Sequence, residues 1–600
     1  MVKINKTLGL ALLTALAASC SSDNDVAQSN PTVENNNGVA YATLRIDLPT
    51  QAGSRAVSYA DGDQSEYAVN NATLLVFKQA GNKEGDYTFV EAVDLTIPTD
   101  GTADKDNGIT TEKKYTARLT KYSTATTDKD SYYGLVLLNN NYTKEGATVQ
   151  KVTLPTAGQT FSYWNENTSG AGLTNTFDGY YMASAPGWTT AGQVPLTLTH
   201  IDPAKVKFTQ DEANTAGPAA TIHVERGVAK VSLSSTSGNE VDATNYTSTK
   251  DKVQITGWAL DVTNMTSYPV HNVDGLATDY ADIWNSNGNK PTDSTASVER
   301  FVDGSNSVFK RVYWAKDHNY SLGTGYISGT DAFTQCGTQF NMINTSKDGK
   351  TGDYSTAVST AVGTPLYCLE NTFNIDNMTQ GQTTRVVFKA TYKLNGATLA
   401  STFYKVGSTL YTLDGLKTEL SNIIKNLFGK TAGDDYVLNL AANGNDITSA
   451  SGTYEIKDAN LEKKPSDAKA LTRGGTATAN NVFTKDQIDL INSNLKGGIS
   501  TYLKGVCYYI GRIKHFGDAE TPWSEGNDTY GTPGNNLKWL GRYGVVRNNW
   551  YELNVEGIAG PGEPIVPPVV PENPDDDNNH YINLSVKILS WAKRSQDINL

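Results

Sequence analysis

The amino-acid sequence predicts an all-β protein with long loops and a few short helices. Short runs of alternating apolar and polar residues are common along the 600 residues, whereas helical periodicity is scarce. The chain also holds 32 tyrosines and 53 glycines. Tyrosine favours strands and glycine favours turns, so the composition is typical of β-sandwich domains. The length indicates two or more such domains.

The first nineteen residues predict a secretory signal. Two lysines give a basic start, residues 8–16 are apolar, and three small residues precede Cys20. The apolar run is shorter than the roughly 20 residues that span a bilayer. This order resembles the bacterial lipobox, in which the peptidase cuts before the cysteine and the thiol then carries a lipid. We therefore expect lipidation at Cys20 and an outer-membrane anchor; an ordinary signal with an incidental cysteine is the alternative.

A polar, acidic tether follows, and then the first predicted strand. Apolar residues alternate with Thr43, Arg45 and Asp47, which predicts a half-buried strand whose apolar face is Ala42, Leu44, Ile46 and Leu48. A small polar loop comes next, and such loops are preferred sites of proteolysis. We expect a cut between Arg55 and Ala56, because the nearby Arg45 lies within the strand and is shielded. That cut would remove the lipid, the tether and the first strand together.

The far end of the chain mirrors the near end. Residues 561–580 hold six of the 20 prolines, which predicts an extended linker reaching on the order of 60 Å. After the linker the apolar residues alternate again, at Ile582, Leu584, Val586 and Ile588, and then come Leu589 and Trp591. A tethered strand need not pack in its own domain. Burying its four alternating apolar side chains contributes on the order of 6–12 kcal/mol before entropy, so a vacant groove elsewhere is a favourable destination.

Two segments carry helical patterns. In "LDGLKTELSNIIKNLFGK" the apolar residues share one face, with Asp414 as the expected N-cap and Gly429 as the stop. In "TKDQIDLINSNLKGG" Thr484 precedes Gln487 by three residues, which is the capping-box spacing. Both segments are expected to decorate sheets.

No motif for catalysis or metal binding stands out. The six histidines are far apart in the sequence, and no phosphate-binding glycine loop or nucleophile elbow occurs. The formal net charge of −13 argues against a nucleic-acid partner. We therefore expect no enzyme activity, no metal and no cofactor. The mature chain keeps Cys336, Cys368 and Cys507. Because exported proteins can form disulfides, the pair Cys336–Cys368 is a candidate for one.

The C-terminal end carries a family resemblance. "RYGVVRNNWYELNVEGI" (542–558), the proline-rich linker and "INLSVKILSWAKRSQDINL" resemble the Mfa-type fimbrillins of Bacteroidia, the short-fimbria subunits of type V pili. The strand "VERGVAKVSL" and the start "LAASC" are also similar to that family. The resemblance implies two transthyretin-like β-sandwich domains. It also implies export as a lipoprotein, trimming by an arginine-specific protease, and polymerisation by strand exchange.

Together these features predict the organisation of the chain. The expected parts are a signal peptide (1–19), a tether with the removable strand (20–55), an N-terminal domain (56–240), a C-terminal domain (241–560), the linker (561–580) and a donor strand (581–600). Having both a removable strand and a donor strand favours a fimbrial shaft subunit on the cell surface. Its partners would be copies of itself, accessory tip and anchor subunits and the protease, and adhesion would follow from the filament. A tip or anchor subunit and a monomeric glycan-binding lipoprotein are the alternatives.

Overall fold

The structure is a computed structural model of the whole chain. It describes residues 39–47, 59–60, 64–96, 112–188, 195–243, 250–276, 310–312, 314–320, 331–463, 482–516, 521, 539–575 and 582–591. Most of the ordered elements are strands, so the predicted all-β class is confirmed.

The strands of the first half of the chain are β1 (Ala40–Asp47), β2 (Tyr59–Ala60), β3 (Ala72–Lys78), β4 (Thr88–Leu95), β5 (Glu112–Leu119), β6 (Tyr132–Leu138), β7 (Asn141–Lys144), β8 (Ala147–Gln150), β9 (Met182–Ser184), β10 (Gly187–Trp188), β11 (Thr199–His200), β12 (Ala220–Arg226), β13 (Val228–Leu233), β14 (Val241–Asp242), β15 (Lys252–Asp261) and β16 (Thr263–Asn264).

Those of the second half are β17 (Lys310–Arg311), β18 (Phe340–Asn341), β19 (Leu366–Leu369), β20 (Arg385–Lys393), β21 (Phe403–Val406), β22 (Thr409–Tyr411), β23 (Tyr436–Leu438), β24 (Ala441–Ala442), β25 (Asn445–Asp446), β26 (Gly452–Tyr454), β27 (Leu461–Lys463), β28 (Ile499–Tyr502), β29 (Val506–Arg512), β30 (Asn549–Ile558) and β31 (Ile582–Trp591). The α-helices are α1 (Gln64–Tyr67), α2 (Phe161–Asn167), α3 (Gln210–Ala216), α4 (Ala332–Gln339), α5 (Leu413–Phe428) and α6 (Lys485–Asn494).

The N-terminal part is built on one large sheet. Its strand order in the described residues is β4-β3-β6-β9-β12-β1-β5, with β11 beside β6. The sheet curls over, because strands from both of its ends contribute to one buried core. The chain leaves this sheet at Gly227, where β12 ends and β13 enters the second sheet. The chain therefore passes from the first sheet to the second at Gly227, whereas the sequence analysis put the domain boundary at residue 240.

The C-terminal part is a sandwich of two sheets. A sheet in the order β19-β13-β30-β31-β2 faces a sheet in the order β14-β15-β20-β29. Alternate residues of β13, β15, β20 and β30 form the core between them. β13 runs parallel to β30, so the strand that carries most of the "VERGVAKVSL" pattern lies between β19 and β30 in the layer that also contains β31.

A third unit with its own core is inserted between β20 and β29. It contains the sheet β22-β21-β28-β26 and the helices α5 and α6. The predicted capping box is present at Thr484 and Gln487, and Gly429 ends α5 in the left-handed conformation. The expected N-cap at Asp414 is wrong, because the hydroxyl of Thr412 accepts the capping hydrogen bond from the backbone of Gly415. The sequence predicted these helices as decorations and did not predict a separate core.

All three cysteines of the described chain are free and buried. No disulfide joins Cys336 to Cys368. Burial raises the pKa of the Cys336 and Cys368 thiols to about 12, so both behave as small apolar side chains.

Candidate functional site

The first strand, β1, occupies a slot between two strands of the N-terminal sheet. It runs parallel to β12 along one edge and antiparallel to β5 along the other. All eight of its residues, from Ala40 to Asp47, have partners on β5. β1 is thus an interior strand, and its backbone donors and acceptors are used on both sides.

Both faces of β1 are covered. Its core face, formed by Ala40, Ala42, Leu44 and Ile46, is at most 1% exposed. On the opposite face Thr43 is also buried, because α3 packs over it. The Oδ1 atom of Asn214 on α3 accepts hydrogen bonds from the hydroxyls of Thr43 at 3.2 Å and Thr116 at 2.5 Å. The burial of Leu44 and Ile46 agrees with the alternation in the sequence, which had predicted only one buried face.

The C-terminal strand, β31, lies in a sheet of its own chain. It pairs antiparallel with β30 over residues 582–590, so that Val586 lies opposite Leu553 and Ile588 opposite Tyr551. On its other edge the one strand that pairs with β31 among the described residues is the two-residue β2, which runs in parallel. β31 is therefore held by one full partner and one short one. In this arrangement the C-terminal strand pairs within its own chain instead of in the sheet of another copy.

The proline-rich segment between β30 and β31 is packed against the C-terminal sandwich. We call residues 561–575 the strap. Ile565, Val566 and Val569 of the strap are buried. Its backbone bonds both ways with Tyr508 through Glu563, at 2.8 Å each. The prediction of an extended free linker over 561–580 is therefore wrong for the strap, because its apolar residues fill space beside the second sheet.

The strap ends at a buried carboxylate. Asp575 accepts a 2.5 Å hydrogen bond from the hydroxyl of Thr383, and a guanidinium nitrogen of Arg512 lies 3.6 Å from its other oxygen. Only six residues separate Asp575 from Ile582. The connection between these two residues can therefore span at most about 25 Å, well short of the 60 Å expected from the sequence.

The burial of Asp575 predicts that the unfolding free energy depends on pH. Burial raises the pKa of Asp575 from 3.8 to about 6, although Arg512 and Thr383 oppose this shift. Because the folded state then binds the proton more tightly than the unfolded state, its stabilisation is complete below pH 4 and is lost as the pH rises through 6. We expect wild type to lose about 2–3 kcal/mol of unfolding free energy between pH 4 and 7 relative to Asp575→Asn. Denaturant titrations at both pH values measure this difference, and parallel profiles would contradict it.

A buried ionic cluster joins the N-terminal sheet to the C-terminal sandwich. His271 lies between two carboxylates, with its Nδ1 2.6 Å from Glu225 and its Nε2 2.8 Å from Glu370. Arg311 donates to Glu225 at 2.6 Å and Arg547 donates to Glu370 at 3.1 Å. Burial disfavours the charged imidazole, but the two carboxylates outweigh burial and raise the pKa of His271. The cluster therefore fixes β12 against the strand ends of the second sheet.

The helix that follows the predicted cleavage loop is also fixed to the second sheet. Glu66 on α1 is buried, and its carboxylate lies 2.8 Å from the ammonium of Lys230 on β13. The hydroxyl of Tyr367 on β19 donates to the same carboxylate at 2.5 Å. Lys230 also lies over the ring of Trp550, 3.7 Å from its centroid. These contacts hold the chain from α1 onward independently of β1.

Several predicted site residues lie outside the described part of the chain, namely Cys20, Leu48, Arg55 and Ala56. Lipidation and cleavage there remain predictions. For the donor strand, the structure describes the backbone of Ile582, Leu584, Val586, Ile588 and Trp591 and assigns it to β31. The two predicted strands are not brought together, since β1 and β31 lie in different sheets.

The ionic cluster and the contact at Asp575 were missed by the sequence analysis. The available signal was the charged pair Glu225–Arg226 inside the strand pattern "VERGVAKV", since a buried strand seldom carries two charges without partners. Among the described residues, no group of three or more His, Cys, Asp and Glu side chains is placed to hold a metal ion. No described helix has the length and apolar character to cross a membrane.

Comparisons with known proteins find a family similarity in the C-terminal region. The family model described as major fimbrial subunit protein type IV, fimbrillin, C-terminal, matches residues 500–597, which include β30, the strap and β31. No curated protein matches the chain. Seven chains of solved structures match. One is a proposed cell adhesion protein from Parabacteroides distasonis ATCC 8503, 12% identical, which covers 93% of this chain and 99% of its own with a TM-score of 0.32.

The region matched by the family model is also the region on which the sequence resemblance depends. Residues 500–597 are therefore similar to the C-terminal region of fimbrillins, and the resemblance of this chain to the Mfa-type fimbrial subunits is confirmed.

Proposed function

We propose that this chain is a shaft subunit of a fimbrium and polymerises head-to-tail by protease-triggered donor-strand exchange. The observation that carries the proposal is that β1 and β31 are the first and last described strands of the chain and that each completes a sheet. A strand at a chain end can leave its sheet without threading through the fold. One end supplies the vacancy and the other end supplies the strand that fills it.

The vacancy is the slot between β12 and β5. Loss of β1 exposes backbone donors and acceptors on both of these strands, and it uncovers the apolar core beneath Ala42, Leu44 and Ile46. Unpaired buried backbone groups and exposed apolar surface are both costly. A slot of this kind favours strand addition. The contacts of Glu66 support the proposal, because they retain α1 when everything before Ala56 departs.

The donor is β31. In the described part of the chain its outer edge pairs with β2 alone, and the loop with the expected Arg55–Ala56 bond lies between β1 and β2 in the sequence. One cut therefore frees β1 and also separates β2 from the strand that precedes it. Because the strap remains docked at Asp575, the donor reaches about 25 Å, so neighbouring subunits must lie in close contact.

A donor at one end and a slot at the other make a heterologous contact, which propagates as a filament. We propose that the precursor reaches the outer membrane as a lipoprotein through Cys20, and that the cut after Arg55 releases it for assembly. Tip and anchor subunits of the same fimbrium would end the filament. Cell adhesion, the role proposed for the Parabacteroides protein, would follow from the exposed loops of the shaft.

A second candidate is a monomeric surface lipoprotein that binds glycans. The pairing of β31 with β30 in the same chain favours it, because such a protein keeps both terminal strands. A tip or anchor subunit is the other alternative, and it would leave either the removable strand or the donor strand unused. The candidates differ in what a cut in the loop after β1 does.

The substitution Arg55→Lys tests the proposal. An arginine-specific protease does not cut after lysine, and the charge is kept. We expect digestion of the wild-type precursor to give a new amino terminus at Ala56 and ladders that resist SDS. The Arg55→Lys variant should stay monomeric and retain β1. Arg45→Lys is the matched control and should assemble as wild type does.

Two results would contradict the proposal. Cleavage at Ala56 that yields monomers alone would favour the tip subunit or the monomeric lipoprotein. Ladders formed by the uncut Arg55→Lys variant would separate assembly from cleavage. Amino-terminal sequencing together with denaturing gels distinguishes these outcomes.

A further inference from the structure

The slot left by β1 is deeper at one end than at the other, because the side chains on the core face of β1 become larger along the strand. Along the strand this face presents Ala40, Ala42, Leu44 and Ile46, all fully buried. The two alanines lie opposite Leu119 and Ala117 of β5. The slot is therefore shallow at the alanine end and deep at the other end. A strand that fills it without strain must follow the same gradient, since buried cores tolerate little added volume.

The sequence of β31 follows this gradient only when it is read backwards. In reverse order its residues include Ser590, Ile588 and Val586 at alternate positions. Placed on Ala42, Leu44 and Ile46, they add one oxygen, conserve the volume and remove one carbon, respectively. The next residue on this face is Ala592, which falls on Ala40 and lies outside the described residues. The core face is thus reproduced to within about one heavy atom per position.

The other face agrees with the same alignment. Trp591 falls on Tyr41 and Lys587 falls on Arg45, so an aromatic residue replaces an aromatic residue and a cation replaces a cation. Arg45 is partly exposed in the slot, which suits a lysine. At Thr43 the replacement is Leu589, which loses the hydrogen bond to Asn214, although Asn214 still accepts from Thr116.

Alternative alignments fit less well. Read forwards, with Val586 on Leu44 and Ile588 on Ile46, the strand puts Leu584 on Ala42 and Ile582 on Ala40. Each of these adds three carbons where the slot is shallow, and a packed core accepts such added volume only by straining side chains or backbone. A two-residue shift of the reversed alignment puts either Ile588 on Ala42 or Ser590 on Leu44. A one-residue shift turns the polar face toward the core.

We propose that the donor strand of a second copy enters the slot in the direction opposite to β1. It then runs antiparallel to β12 and parallel to β5, with Ser590, Ile588 and Val586 in the places of Ala42, Leu44 and Ile46. This inference rests on the proposed strand exchange and adds its direction and register. It follows that the alanine end of the slot receives the carboxyl end of the donor.

Cysteine cross-linking between copies tests the direction. In the reversed alignment Ser585 takes the place of Asp47, opposite Glu112; in the forward alignment it takes the place of Thr43, opposite Thr116. These two positions on β5 are about 13 Å apart. A disulfide requires Cβ atoms within about 4.5 Å, so one donor cysteine cannot serve both.

The experiment mixes a Ser585→Cys copy with a Glu112→Cys copy or with a Thr116→Cys copy before digestion. Each mixture is oxidised and boiled in SDS without reductant. The native thiols at Cys336, Cys368 and Cys507 are buried and do not compete. We expect the Glu112→Cys mixture to give at least about tenfold more cross-linked dimer, because only its pair lies within disulfide reach.

A dominant Thr116→Cys cross-link would overturn the reversed direction while leaving strand exchange intact. SDS-resistant ladders with neither cross-link would overturn the register. Wild-type protein that is cut at Ala56 and forms no ladder would overturn strand exchange itself, and the direction with it. The three failures are therefore distinguishable on one set of gels.

Discussion

Replacing Arg547 with methionine should lower the unfolding free energy by about 3–5 kcal/mol, the usual cost of removing one partner from a buried ion pair. The Arg547 guanidinium donates to Glu370, to the hydroxyl of Ser267 and to the carbonyl of Tyr268, and the side chain is about 1% exposed. Methionine fills much of the same volume but leaves Glu370 with fewer positive neighbours. Denaturant unfolding followed by tryptophan fluorescence measures the loss.

Lys485→Met is the matched control. Lys485 pairs with Asp489, but its side chain is 84% exposed, and solvent screens such pairs so that they add little to stability. Adding Glu370→Gln to Arg547→Met should recover part of the loss, since it removes the charge that was left without compensation. A cost below 1 kcal/mol for Arg547→Met would show that the cluster does not hold the two sheets together.

Replacing Leu44 with alanine should destabilise the precursor and leave the filament unchanged. In the precursor Leu44 is fully buried in the core of the N-terminal sheet, where Leu→Ala substitutions cost about 2–5 kcal/mol. In the filament a cut after Arg55 has removed Leu44 together with β1. The two stabilities are measured by denaturant titration before digestion and by the temperature at which SDS-resistant ladders dissociate.

Leu233→Ala provides the comparison for Leu44→Ala. Leu233 on β13 is 1% exposed in the core of the C-terminal sandwich, and it stays in the chain after digestion. We expect this substitution to weaken the precursor and the filament alike. If Leu44→Ala lowered the melting temperature of the ladders as much as Leu233→Ala does, β1 would still be present in the assembled subunit.

The terminal strands were predictable because their signal is local. Two-residue alternation at Leu44 and Ile46 requires only neighbours in sequence, and so does the capping box at Thr484. The family resemblance extended the prediction to a mechanism. Even so, the second covered face of β1 was not predicted, because the burial of Thr43 depends on α3, more than 160 residues away.

The strap and the ionic cluster depend on distant contacts. Proline removes backbone donors and favours extended backbone, so the composition of the strap predicted an extended linker. Nothing in that composition shows that Val566 and Val569 fit beside the second sheet. The partners of Glu370 lie about 100 and 180 residues away, at His271 and Arg547. Such pairs become visible only when the topology brings β12, β19 and β30 together.

Two incomplete copies, mixed, give the most direct test of strand exchange. One copy carries Arg55→Lys and keeps its donor strand but cannot open its slot. The other lacks residues 581–600 and can be cut but has no donor. Circular dichroism verifies that it folds, and Val586→Asp replaces the truncation if it does not.

Each copy alone should remain monomeric after digestion. Mixed and digested, they should form an SDS-resistant dimer with one of each copy and nothing larger. Monomers in the mixture, with the second copy folded and cut at Ala56, would contradict the exchange of β1 for β31.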